Sequence, residues 1–133
     1  MGNLNAWAPR VLSLLRIITA LMFLEHGLMK LFAFPAAQQG LPSPMPPILI
    51  AAAWIELVGG VALTLGLFTR LVAFVCAGEM AAAYFLGHVM RLRTIFPALN
   101  GGDAAVLFCW IFFYLVFAGG GPWSLDAIVR KKP

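Results

Sequence analysis

The sequence predicts an all-α membrane protein, a single domain built as a bundle of four transmembrane helices. Three observations predict it. Of 133 residues, 62% are hydrophobic, against about 45–50% in soluble domains, so water cannot be the solvent for most of this surface. The apolar residues gather into four long runs, and a helix of about 20 residues crosses roughly 30 Å of hydrocarbon. Proline and glycine clusters separate the runs, which is where such helices must end.

The first span runs from about residue 11 to 34. Arg16 interrupts its start, Glu25-His26 its end, and Ala33-Phe34-Pro35 is a poor cleavage site, so it reads as a retained span, not a signal peptide. Pro35, Pro42, Pro44, Pro46 and Pro47 make the next segment a loop, because proline fixes φ and lacks the N–H. The second span covers about 48–68, Thr69-Arg70 turns the chain, and the third covers about 71–90. A polar loop follows, from Arg91 to Gly102. The fourth span, 103–118, is stopped by Gly119-Gly120-Gly121-Pro122, since glycine accepts a left-handed helix end and proline cannot continue. Ser124 is placed to cap a short interfacial helix carrying Arg130, Lys131 and Lys132.

Four spans put both termini on one side. That side holds Arg10, Arg70, Arg130, Lys131 and Lys132, with Arg16 just inside, and the other holds Lys30, Arg91 and Arg93. The positive-inside rule then gives N-in, C-in in a bacterial inner membrane. The net charge of +4 is spread over span ends, which argues for loop bias and against a nucleic-acid partner. Cys76 and Cys109 are the only cysteines. Counting along the spans puts them roughly 8 Å and 9 Å from opposite membrane faces, so they read as unpaired core residues, because a disulfide needs Cα atoms within about 7 Å.

Ionisable residues inside the apolar runs carry the functional signal. A charge at bilayer depth costs at least about 2.5–3.5 kcal/mol, so each needs a partner, a ligand or water. Counting from the span ends puts Glu25 and Glu56 roughly 12–14 Å deep from the outer face. His26, Lys30, His88 and Asp103 join them in the outer half. Arg16 and Glu79 match in depth in the inner half and are expected to form an ion pair. At about 100° per residue, Glu25 points away from Arg16, so the first span is expected to be wedged between two helices. Glu56 shares a face with Gly59 and Gly60, a close-packing face, and Glu79 shares one with Ala82 and Ala83.

Burial and a neighbouring cation act on a carboxyl in opposite directions, and Glu25 and Glu56 near Lys30 and His26 have both available. Quinone reduction takes two protons with two electrons, which a carboxylate and an imidazole at membrane depth can supply. Phe23, Trp54, Tyr84 and Trp110 are candidate walls for a ring-shaped pocket. Quinone is therefore the candidate cofactor. Haem is disfavoured, because the two histidines differ in depth and no CxxCH is present, and no metal cluster is expected. A purely structural role for the buried polar set, holding the bundle in one register, competes with these readings.

With the spans placed, the chain resembles the DoxX family of small four-helix bacterial membrane proteins. The resemblance rests on Glu25-His26-Gly27-Leu28-Met29-Lys30-Leu31-Phe32, Ile55-Glu56-Leu57-Val58-Gly59-Gly60, Gly66-Leu67-Phe68-Thr69-Arg70, a third span ending in His88, Asn100-Gly101-Gly102-Asp103 and Gly121-Pro122-Trp123-Ser124-Leu125-Asp126. Asp103 stands where glutamate is expected in many relatives. The resemblance implies a membrane subunit associated with redox systems, some of whose relatives reduce quinone, and it transfers a fold more securely than a reaction.

The expected function is a quinone-interacting subunit of a redox complex. Glu25, Glu56 and His26 would exchange protons, Lys30, Trp54, Tyr84, His88 and Asp103 would bind substrate, and Arg16 with Glu79 would be structural. Electrons would come from a partner redox protein, and the chain sits in the lipid bilayer, with a homo-oligomer open. The alternatives are a non-catalytic anchor for peripheral redox enzymes at the basic tail and a carrier for a small solute or proton. Whether the chain is itself catalytic stays open at this stage.

Overall fold

Apolar composition and proline punctuation produce long helices and little else. The computed structural model describes residues 2–131, and those residues contain helices and turns and no strand. Lys132 of the basic tail lies outside the described residues. A 3-10 turn, Leu4–Ala6, leads into α1, Ala8–Phe32, with Pro9 in its first turn, where a missing N–H costs nothing. Helix α2 is Pro47–Leu65 and ends on Gly66 at φ +70°. Helix α3 spans Thr69–Leu92 and contains a π-helical stretch, Ala83–Val89. A one-turn helix α4, Pro97–Asn100, precedes α5, Asp103–Ala118, and α6, Leu125–Arg130, closes the chain.

Helices α1, α2 and α3 are long and apolar enough to cross a membrane, and α5 is a shorter apolar helix of 16 residues, about 24 Å at 1.5 Å per residue. Together they form a membrane helical bundle. The core is Phe23, Leu63, Phe112 and Leu115 with the small residues Ala20, Ala73, Cys76 and Ala77. Phe108 and Phe112 stack there, and Phe23 is edge-on to Phe112 at 4.8 Å between ring centroids. Cys76 and Cys109 are both free.

The bundle consists of two pairs, α1 with α2 and α3 with α5, and α2 and α3 also touch. Glycine sets the first pair. A Cβ on Gly27 would lie 2.7 Å from the Leu57 nitrogen and 3.0 Å from the Ala53 carbonyl oxygen, and one on Gly60 would lie 2.8 Å from the Leu24 Cα. Only hydrogen at those positions permits the backbones to approach so closely.

The end carrying both termini is closed by charged side chains seated on helix ends. Arg16 is fully buried. Its Nε donates to Gly120 O at 2.8 Å, its Nη1 to Leu63 O and to Thr64 O at 2.7 Å, and its Nη2 to Trp123 O. Arg70 donates to Val116 O and Phe117 O at the end of α5, at 2.8 and 2.6 Å. Asp126 accepts from the Phe68 and Thr69 backbone N–H groups at the start of α3, both at 2.8 Å. Cations thus sit on two C-terminal ends and an anion on an N-terminal one, as the helix dipole favours.

The expected Arg16–Glu79 ion pair is therefore not formed. The last carbonyls of a helix have no partner within it. The guanidinium fork spends four of its five N–H donors on those of α2 and on the turn after α5, and none of them reaches Glu79.

Candidate functional site

At the opposite end, where the loops lie, the two helix pairs separate and leave a cleft of about 920 Å³. Its walls come from the last turns of α1, the first turns of α2, the π-helical end of α3 and the start of α5. Phe23 and Phe108 line it, as do Gln38 and Leu41 from the proline-rich loop. Such a volume, with mostly apolar walls and a few polar groups, fits a drug-sized organic molecule.

The charged centre of the cleft is an ion pair. Lys30 Nζ lies 2.6 Å from both oxygens of Glu56, with 8% and 3% of the two side chains exposed. It is the only salt bridge among the described residues. Helix α1 brings Lys30 one turn beyond Gly27, so the same close approach that admits Leu57 also places Glu56 under the ammonium. Two of three ammonium donors are used on Glu56, and one remains for another acceptor.

Both histidines line the cleft. His26 Nδ1 lies 2.8 Å from Met22 O and His88 Nδ1 3.1 Å from Asn100 O. A carbonyl oxygen only accepts, so Nδ1 is the donor in each ring, and Nε2 carries the free lone pair of the neutral imidazole. His26 meets the Phe108 ring edge-on at 5.9 Å, and His88 stacks on Tyr84 at 6.4 Å. Asn100 organises this corner through Gly102 N–H to its Oδ1 at 2.8 Å and its Nδ2 to Thr94 O at 2.9 Å.

Glu79 also lines the cleft, and its Oε2 is buried without a hydrogen-bond partner. Ala82 and Ala83 also line the cleft; Ala82 is exposed, while Ala83 packs against the core.

The other expected site residues lie elsewhere. Glu25 is exposed on the outer surface of the bundle. Opposition to Arg16 turns it outward: α1 touches α2 and, through Phe23 and His26, α5, but Glu25 lies on a face that neither covers. Trp54 is 51% exposed and Trp110 64% exposed, and neither borders the cleft, because each faces away from the helix contacts. Tyr84 is buried and donates to Ile95 O, where it supports His88 from behind. Asp103 is exposed in the first turn of α5 and suits the helix dipole there.

With this geometry in view, the comparison with known proteins is decisive at the family level. The DoxX family profile matches residues 11–89. This chain belongs to the DoxX family. It is 43% identical to an "Uncharacterized protein" of Haemophilus influenzae, covering 99% of this chain and 100% of the relative. A Bacillus subtilis protein named "Putative oxidoreductase CatD" is 32% identical over 89% of this chain and 86% of its own length. The "Inner membrane protein YqjF" of Escherichia coli is 28% identical, over 88% and 90%. No solved structure matches. The chain is thus a bacterial membrane protein of the DoxX family, and the cleft, with Lys30, Glu56, His26 and His88, sits in its bundle.

Proposed function

We propose that the loop-end cleft binds a quinone drawn from the bilayer and that the protein serves a redox complex in the inner membrane. The observation that carries this reading is the Lys30–Glu56 pair set inside an apolar cleft of about 920 Å³. Phe23 and Phe108 offer ring faces, Lys30 retains one free N–H for a carbonyl oxygen, and His26 and His88 each present Nε2 as a proton-exchanging atom. The name of the Bacillus relative points the same way.

Reducing a quinone to its quinol consumes two electrons and two protons. A redox-cofactor-bearing partner protein supplies the electrons. The residues of this chain hold the ring, keep bulk water from it and exchange protons at its oxygens. With N-in, C-in orientation, the basic end faces the cytoplasm and the cleft opens toward the periplasmic half.

The test is made on protein purified gently into nanodiscs. Bound lipophilic molecules are extracted and identified by mass spectrometry, for the wild type and for Glu56→Gln. Quinone in the wild type and its depletion in the variant are the expected result. Lipid alone in both would sink the proposal and leave the pair as a structural element.

A further inference from the structure

Three buried side-chain oxygens among the described residues have no hydrogen-bond partner: Gln38 Oε1, Thr69 Oγ1 and Glu79 Oε2. Two of the three belong to Gln38 and Glu79, whose side chains line the same cleft. A polar atom buried without a partner forfeits its hydration and gains nothing in return. Native structures keep such atoms rare, and each calls for a reason. Both residues stand at the same apolar cleft, where a small turn of either side chain would bring its polar end to a molecule filling the space.

The carboxyls of the cleft are not equivalent. Both oxygens of Glu56 are engaged by the Lys30 ammonium at 2.6 Å, so giving Glu56 a proton dismantles the ion pair. Glu25 lies on the outside of the bundle. Glu79 alone combines a free carboxyl oxygen with a place in the cleft wall. It also sits one turn ahead of the π-helical stretch Ala83–Val89, and widened turns of this kind recur at functional sites. The groups around the cleft that face it are Lys30 and His26 from α1, Glu56 from α2, and His88 and Arg91 from α3 itself, while α5 offers Ala104, Ala105 and Phe108. No cation is held against it by a hydrogen bond.

We infer that Glu79 is the carboxyl that contacts the bound ligand and exchanges a proton with it, in the cleft that also holds the Lys30–Glu56 pair. This rests on the quinone reading of the same site. As an acid, Glu79 donates to a quinone carbonyl oxygen. As a carboxylate, it accepts from a quinol hydroxyl. In reduction, two electrons arrive from the partner protein, one proton passes from Glu79 to a ring oxygen, the second is taken up from solvent at Nε2 of a cleft histidine and passed to the other oxygen, and solvent reprotonates Glu79. The ligand is thus a ring with polar oxygens, for which Lys30 and Glu79 are the cleft partners.

The experiment is direct binding of a short-tailed quinone and of its quinol to nanodisc protein by titration calorimetry. It is repeated in buffers of different ionisation enthalpy, so that the protons exchanged per ligand are counted. The proteins are the wild type, Glu79→Gln, Glu79→Leu and Glu25→Gln, each checked for monodispersity. Glu79→Gln is expected to remove the proton exchange while keeping most of the affinity, and Glu79→Leu to weaken binding by about tenfold, as loss of one buried hydrogen bond does. Glu25→Gln should match the wild type. Binding by the wild type with the same proton count and affinity in both Glu79 variants would overturn the assignment of Glu79 alone. Failure of the wild type to bind either ligand would overturn the quinone reading and this inference with it.

Discussion

Residues of one charge type have different roles here, and the difference lies in what each side chain meets. Lys30 meets a carboxylate and makes an ion pair, whereas Arg16 meets only carbonyls and joins three chain segments. Glu56 is fully engaged, Glu79 has a free oxygen, and Asp126 works outside the membrane-spanning part as a cap on α3. Burial pushes the Asp126 carboxyl up, but the backbone N–H groups of Thr69 and Phe68 and the nearby Arg130 charge outweigh it and hold it below the ordinary value of 3.8. The folded state therefore binds that proton less tightly than the unfolded chain does. The contribution of Asp126 to stability is present in full above pH 3.8 and is lost as pH falls through the lower folded value. Asp126→Ala is expected to lower stability at neutral pH by about 1–2 kcal/mol, as loss of a helix cap does. The gap from the wild type should close in acid, measured by denaturant unfolding in detergent across pH. A gap that stays constant down to strong acid would show that the cap works without its charge.

At the level of elements, the glycines separate packing from function. Gly27 is pressed against the backbone of α2, while a Cβ on Gly78 of α3 would meet nothing within 4 Å. Gly27→Ala is expected to push α1 from α2, cost about 1–3 kcal/mol as overpacking does, and spread the Lys30–Glu56 pair. Gly78→Ala should be neutral or stabilise by about 0.5–1 kcal/mol through helix propensity. Unfolding of both variants in the same detergent checks the contrast, and equal effects would refute the close approach. The helices themselves were legible in the sequence, because an apolar run ends wherever proline or glycine removes the means to continue. The start of α1 at Ala8 and the continuation of α3 to Leu92 extend past the apolar runs, since polar residues at a membrane surface keep helical hydrogen bonds without being apolar. Depth counting also placed Lys30, His26, Glu56 and His88 at one end of the bundle. It could not show which faces would find neighbours. Glu25, Trp54 and Trp110 carry site-like chemistry on faces that no helix covers, and Ala82 beside Glu79 is exposed instead of closely packed.

For the whole molecule, these devices divide the bundle into a clamped end and an open one. Helix pairs α1–α2 and α3–α5 are locked together where the termini lie and part at the loop end around the cleft. Arg16 is the centre of the clamp, and its role escaped the sequence because its partners are backbone carbonyls, which have no residue signature. A glycine turn completes it. Gly66 holds φ +70°, and a Cβ there would collide with Ser124 and come within 3.0 Å of Arg16 Cζ. Lysine in place of Arg16 keeps the charge but offers a point donor instead of a planar fork. It cannot reach Gly120, Leu63, Thr64 and Trp123 at once, and carbonyls left unpaired in the interior cost about 1–3 kcal/mol each. Arg16→Lys is therefore expected to destabilise the bundle by several kcal/mol, and Arg16→Met by more. If the clamp sets the angle between the helix pairs, Arg16→Lys should weaken binding of the proposed quinone although Arg16 lies outside the cleft. Thermal unfolding and quinone titration of the same nanodisc sample read both effects. Loss of stability with unchanged affinity would mean that the cleft is shaped locally, by Gly27 and the π-helical end of α3, and is independent of the far end of the bundle.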